Sequence, residues 1–241
     1  MKARLAAAAA ALLVAGGIAA GCGGDSATVT QTITTDQLPT TAPTTTAAPT
    51  TTAAPTTTTT ATTASVGEDR LPPAGSIPDT TAGASRTLDD AQEFVDGLYQ
   101  VGDPSKPAAQ ARLESAGYAG GILRDETGTD PANGIALFRT YAIAVRDEAA
   151  AQTEVDAAAD EVETASSAPS IPIEVPEIPG ARGLRLDLNQ GGTTGSVAFV
   201  TFAAGPYVYG LQGVSTAAET LPQDALVETA KQLYAQVSAT P

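Results

Sequence analysis

Cysteine occurs once in this chain of 241 residues, at Cys22, and histidine does not occur at all. Without histidine, neither a Ser-His-Asp nor a Cys-His nucleophilic arrangement can form, and the commonest transition-metal ligand is missing. A single cysteine also has no partner for a disulfide within the chain. The groups left for chemistry are the Cys22 thiol, carboxylates and tyrosines. We therefore predict no catalytic residue, no metal site and no cofactor, and hence no enzyme.

The Cys22 thiol follows a segment with the three parts of a secretory signal. Lys2 and Arg4 give a positive start, residues 5–20 are apolar or small, and "IAAG" directly precedes the cysteine. The apolar run is too short for a membrane-spanning helix, which needs about 20 residues. We assign residues 1–21 to a signal peptide. The alternative is a plain secretory signal followed by an incidental cysteine.

The run of Ala19, Ala20, Gly21 and Cys22 resembles the lipobox of bacterial lipoproteins, with Ala19 where that family usually has leucine. The resemblance implies that the chain is cut before Cys22 and that the Cys22 sulfur carries diacylglycerol. It also implies acylation of the new amino group by a fatty acid such as palmitate. Two or more acyl chains hold a protein stably on a membrane. The expected location is the extracytoplasmic face of the cell membrane, with the membrane itself as a partner.

The composition of residues 22–86 predicts a stalk. "PTTTAA" occurs twice in succession from Pro43, and Asp36 is the only charged residue between Ser26 and Ser65. Such a tract has too little apolar bulk to offset the entropy of ordering it, and Thr/Pro tracts are typical of O-glycosylated stalks. We expect residues 22–86 to be a disordered spacer and residues 87–241 to be one globular domain.

The pattern within residues 87–241 predicts an α+β domain: a mainly antiparallel sheet with helices packed on one face. Four helices are indicated, by "TLDDAQEFVDGLY" with Thr87 as the N-cap, "SKPAAQARLESAG", "DEAAAQTEVDAAADEVETA" and "LPQDALVETAKQLYAQV". Alternating residues indicate strands in "GIALFRTYAIAVRD", "ARGLRLDL", "GSVAFVTF" and "YVYGLQGV", and "AAGP" reads as the hairpin between the last two. The buried face of the last helix is expected to be Leu226, Ala230, Leu233 and Val237.

Two groups of residues are candidates for binding. Glu154, Asp156 and Glu161 lie in the acidic helix and could meet a cation, but the solvated side of an Ala-rich helix is the preferred interpretation. Tyr207 and Tyr209 share one face of the last strand, and they are the candidate ligand-binding residues if they point outward. The alternative for both tyrosines is partial burial with the hydroxyl at the rim.

Several segments carry a resemblance to a known group of domains. "LESAGYAGG", "YAIAVRDEAAAQTEVDAAADEV", "IPGARGL" and "GSVAFVTFAAGPYVYGLQG" resemble a domain of actinobacterial surface lipoproteins that also have a Thr/Pro-rich stalk. More distantly, the order of elements resembles the small extracytoplasmic sensor domains of actinobacterial kinases. The resemblance implies an uncharacterised α+β extracytoplasmic domain and supplies no catalytic residue.

The formal net charge of −15 makes nucleic acid an unfavourable partner. Together, these features predict a membrane-anchored extracytoplasmic lipoprotein whose domain is a non-enzymatic binding or sensing module for an unknown envelope protein or small ligand. Two other functions stay open at this point. One is a carrier of apolar ligands, and the other is a carboxylate-dependent hydrolase of envelope polymers.

Overall fold

A computed structural model describes residues 66–130, 134–166, 168–190, 193–216 and 223–239. The signal peptide, Cys22 and most of the predicted stalk lie outside these ranges. The strands are β1 (Thr80–Leu88), β2 (Gly120–Gly128), β3 (Ile135–Ala144), β4 (Ser170–Pro172), β5 (Arg182–Gln190), β6 (Thr193–Ala204) and β7 (Tyr207–Ser215). The helices are α1 (Ala91–Leu98), α2 (Lys106–Ala116), α3 (Glu148–Ala165) and α4 (Gln223–Ser238), and a 3-10 turn spans Glu68–Arg70.

All these strands form one sheet in the order β1-β2-β3-β7-β6-β5-β4, and every neighbouring pair is antiparallel. The expected hairpin joins β6 to β7, and its turn uses Gly205 at a φ of 57°, a left-handed conformation that favours glycine. The predicted α+β class and the antiparallel sheet are confirmed.

Helices cover both faces of the sheet, whereas the sequence predicted helices on one face. Helices α1, α2 and α3 lie on one side, in a core that includes Phe94, Leu113, Ile143, Val155 and Val208. Helix α4 lies on the other side and buries Leu226, Ala230, Leu233 and Val237 as predicted, in a core with Phe138, Phe202 and Leu211. The reason is visible in β3, where Ile143 and Phe138 project to opposite sides and both are buried. A sheet that is apolar on both faces needs cover on both.

The domain extends further towards the N terminus than the predicted boundary at residue 87. Val66, Leu71 and Ile77 are only 4%, 2% and 2% exposed and belong to the core under α4. Strand β1 pairs with β2 along the edge of the sheet. The physical reason is that bulky apolar residues return at Val66, where the Thr-rich tract ends. We call residues 66–79, which lead from this point to β1, the strap.

Helix ends follow local capping chemistry. Helix α1 begins after Asp90, whose carboxylate accepts a hydrogen bond from the Glu93 N–H at 2.8 Å, so the expected N-cap Thr87 lies instead in β1. Helix α2 ends at Ala116 and is capped by Gly117, whose φ is 75°, at the glycine where the sequence predicted its end. None of the helices within the described ranges is long and apolar enough to cross a membrane.

Candidate functional site

Tyr209, one of the two tyrosines predicted to bind a ligand, is completely buried. Its ring stacks on Phe202 with the ring centroids 5.0 Å apart, because the two residues face each other across β6 and β7. Burial raises the pKa of the Tyr209 phenol, and this effect outweighs the opposing influence of Arg70. The condition that Tyr209 points outward is therefore not met, and its burial is more complete than the alternative of a hydroxyl at the rim: it lies on the face that α4 and the strap cover. That Tyr207 and Tyr209 bind a ligand stays a prediction.

Tyr207 and Tyr209 together hold an arginine of the strap. The Arg70 Nη1 donates a hydrogen bond to the Tyr209 hydroxyl at 3.2 Å. The Arg70 guanidinium carbon lies 4.3 Å from the centroid of the Tyr207 ring, which is a cation–π geometry. Tyr207 is half-buried. We call Arg70, Tyr207 and Tyr209 the arginine clasp.

The strap is also joined to α4. The Gln236 side-chain amide donates a hydrogen bond of 2.8 Å to the Asp69 carbonyl, in the 3-10 turn that carries Arg70. Leu71 follows Arg70 directly and enters the same core as Leu233 and Val237. The clasp therefore fixes the start of the strap at the end of the sheet where β6 turns into β7.

A buried ion pair lies beneath the next part of the strap. Arg124 and Glu126 occupy alternate positions of β2 on this face, and Arg124 Nη2 lies 3.3 Å from Glu126 Oε1. The Glu126 side chain is completely buried, and it accepts a hydrogen bond of 2.6 Å from the Thr80 hydroxyl. The strap contributes the other partners: the Pro72 carbonyl accepts a hydrogen bond from Arg124, and the Gly75 N–H points at Glu126 over 3.4 Å.

On the opposite face, Arg112 of α2 binds two glutamates of α3. Its Nε and Nη2 reach the two oxygens of Glu154 at 2.9 and 3.0 Å, and its Nη1 reaches Glu161 at 2.7 Å. Burial raises the pKa of the Glu154 carboxyl, even though Arg112 opposes the change. Burial also raises the pKa of the nearby Tyr141 to about 12 and, together with the charge of Glu161, raises that of Tyr99.

The outer acids of α3 meet a second arginine. Arg182 at the start of β5 lies 3.4 Å from Asp156, 3.3 Å from Asp160 and 3.6 Å from Glu163. The interpretation of this helix face as simply solvated was therefore wrong for Glu154, which is buried. For the outer acids it was incomplete: Asp160 and Glu163 are exposed and Asp156 is half-buried, but all of them share Arg182.

The arginines are the residues that sequence reasoning missed. Arg70 fell within the predicted stalk, although "RLPPAGSI" contains the bulky apolar residues that a Thr-rich spacer lacks. Arg124 lies between Leu123 and Asp125 in a strand, and the sequence carries no sign that its partner is Glu126 on the same face. Among the described residues, no cluster of three acidic, cysteine or histidine side chains could hold a metal ion. Cys22 lies outside the described residues.

Comparison with known proteins finds no matching family model and no matching curated protein. Among solved structures, the chain is similar to the extracellular domain of PknH from Mycobacterium tuberculosis, with 12% sequence identity and a TM-score of 0.44. The similarity covers 74% of this chain and 97% of that domain.

Proposed function

We propose that the chain is a lipid-anchored protein of the extracytoplasmic membrane face, and that its folded domain is a binding or sensing module without catalytic activity. The observation that carries this proposal is Cys22. It is the only cysteine, it follows a signal-like segment, and small residues flank it on both sides. A thiol in this position is the acceptor for a thioether-linked lipid in the lipoproteins that the segment resembles.

The distribution of charge supports a binding module over an enzyme. The two buried glutamates of the described residues, Glu126 and Glu154, are each bound to an arginine. A buried carboxylate held in this way by an arginine is committed to a structural ion pair, whereas a general acid or base needs access to substrate. These two glutamates therefore give no support to a carboxylate-dependent hydrolase.

The carrier of apolar ligands is also disfavoured. The two faces of the sheet support two separate apolar cores, and each core contains large side chains that are almost fully buried, such as Phe202 and Tyr209 on one side and Leu113 and Ile143 on the other. A carrier would have to displace some of these buried side chains to bind its ligand.

Fractionation of cells that express the chain tests the anchor. The unchanged chain should be recovered in the membrane fraction, and Cys22→Ser should release it or leave an unprocessed precursor. Thr30→Ser, a conservative change outside the lipobox-like run, serves as the matched control and should not alter the distribution. If Cys22→Ser is processed and stays on the membrane as the unchanged chain does, the lipid anchor is excluded.

A further inference from the structure

The strap contacts the sheet through successive side-chain and backbone groups, as a bound peptide contacts a receptor. Side-chain and backbone contacts succeed each other along it: Arg70 enters the tyrosine pair, Leu71 enters the core, the Pro72 carbonyl meets Arg124, and the Gly75 N–H faces Glu126. Ile77 closes the series with a second buried apolar side chain. Recognition of backbone groups combined with pockets for selected side chains is how extended peptides are commonly bound.

The charged pair beneath the strap is unusual for a structural core. Replacing a buried ion pair by apolar residues is often neutral or stabilising. A contribution to stability therefore does not by itself explain the ion pair of Arg124 and Glu126. A donor and an acceptor side by side do, however, suit the C=O and N–H groups of an extended backbone. In addition, the buried Nε of Arg124 has no hydrogen-bond partner in the part of the chain that the structure describes. The strap therefore leaves one donor of the ion pair, the Arg124 Nε, without a partner.

The strap is held by these contacts and not by a strand ladder. Within the described residues, strand pairing begins at Thr80, after the strap has ended. Its only regular element is the 3-10 turn at Glu68–Arg70, and a turn at Pro73–Ser76 is closed by the Ser76 N–H. Residues 66–78 can therefore leave the sheet face without breaking the backbone pairing of the sheet, whereas the Asp79 carbonyl stays joined to the Thr129 N–H by a hydrogen bond of 2.8 Å.

We propose that this face is a peptide-recognition groove, formed by Tyr207, Tyr209, Arg124 and Glu126, and that the strap is its intramolecular occupant. The groove takes in trans an extended segment of another protein in which an arginine is followed by an apolar residue. This use in trans rests on the proposed function as a binding module, while the groove itself can be tested in vitro whether or not Cys22 carries a lipid.

The charge of the domain favours a foreign segment over a second copy of this chain. The charged residues before residue 66 are Lys2, Arg4, Asp25 and Asp36, so residues 66–241 carry the whole formal charge of −15. Two such domains repel each other, whereas a segment that brings an arginine without acidic neighbours is attracted.

A labelled peptide with the sequence of residues 70–77, RLPPAGSI, tests the groove by titration against the purified full chain. In the unchanged chain, the tethered strap competes at an effective concentration on the order of millimolar, and the peptide should bind weakly. Arg70→Ala weakens only the tethered competitor, so this variant should bind the peptide about tenfold more tightly or better. Arg146→Ala, which removes an exposed arginine elsewhere, should behave as the unchanged chain.

Two further variants assign the binding to the clasp. The same peptide carrying Arg70→Ala should lose its affinity for the Arg70→Ala chain. Adding Tyr209→Phe to the Arg70→Ala chain should weaken binding of RLPPAGSI, because the hydroxyl that accepts from the arginine is gone. If a folded Arg70→Ala chain binds RLPPAGSI no better than the unchanged chain does, the groove does not exist. A concentration-dependent dimer of this variant that RLPPAGSI dissociates would overturn the assignment to a foreign segment.

Hydrogen exchange on the unchanged chain provides a test that needs no variant. Amides of residues 66–79 should exchange through a local opening that leaves the amides of β3 and β7 protected. Exchange of the strap only together with those central strands would show that it is an inseparable part of the core, and this would overturn the proposal.

Discussion

Arg70 and Tyr209 are 139 positions apart in the chain and are joined by a hydrogen bond of 3.2 Å. This contact, with the cation–π contact to Tyr207, attaches the segment that follows the Thr-rich tract to the end of the central hairpin. The tyrosines that the sequence offered as an interaction surface already have an occupant, and the occupant belongs to the same chain.

Arg70→Ala should lower the free energy of unfolding by about 1–2 kcal/mol, the sum expected for one hydrogen bond and one partly buried cation–π contact. Urea denaturation measures it. Arg146 provides the control, because its side chain is 62% exposed and its replacement by alanine should change stability by less than about 0.5 kcal/mol. Equal stabilities of the two variants would show that the clasp contributes nothing.

Truncation should place the start of the domain at residue 66. A chain that begins at residue 66 should melt as the full chain does, because the Thr-rich tract has few apolar side chains to add to a core. A chain that begins at residue 80 loses Val66, Leu71 and Ile77, each buried and each worth about 1.5–3 kcal/mol at most. Its melting temperature should be much lower, and equal melting temperatures would show that residues 66–79 are not part of the folded domain.

The sequence predicted the four helices and strands β3, β5, β6 and β7 because their patterns are local, whereas β1 and β4 were missed. The alternation in "ALFRTYAIA" identifies β3 and separates Phe138 from Ile143, and the helical spacing of Leu226, Ala230, Leu233 and Val237 gives the buried face of α4. The sequence could not show that α4 crosses to the second face, because that depends on how the chain returns after β7. The strap was missed because its residues follow neither the periodicity of a helix nor that of a strand. In addition, its Arg70 contacts residues more than a hundred positions away in the chain.

Gly210→Ala should be strongly destabilising. The Tyr141 ring lies directly over Gly210 in the neighbouring strand, and a Cβ at residue 210 would overlap the ring atoms. We expect a loss of about 1–3 kcal/mol or more, as for overpacking in a core. Gly75→Ala is a useful control, because Gly75 has open space but a φ of 75° and reports backbone strain without a clash. The expectation fails if Gly210→Ala is no more destabilising than Gly75→Ala.

Arg112→Leu should destabilise the domain by about 3 kcal/mol at pH 7, since it leaves Glu154 buried without its cationic partner. This loss of stability should become smaller as the pH is lowered. Burial raises the pKa of Glu154 in the folded state, and removing Arg112 raises it further. The protonated carboxyl therefore favours the folded state below the ordinary pKa of 4.5, and this contribution is lost as the pH rises through the raised value.

Denaturation of the Arg112→Leu variant between pH 4.5 and 7 tests this direction of the pH dependence. Arg112→Leu combined with Glu154→Leu should recover most of the stability and lose most of the pH dependence, because the fully buried carboxylate is gone and the remaining partner, Glu161, is half-buried. Glu114→Gln, on the exposed side of α2, is the control for a general effect of removing a carboxylate. A destabilisation of Arg112→Leu that grows towards acid would contradict the role given to Glu154.

The intact mass of the protein extracted from membranes of a bacterial host tests the lipid anchor most directly. The expected species begins at Cys22 and carries the mass of a diacylglyceryl group, with or without a further acyl chain on the amino terminus. Digestion should place the added mass on the peptide that contains Cys22. A soluble protein with an unmodified Cys22, or one whose chain begins after residue 22, would contradict the proposed anchor and the location that depends on it.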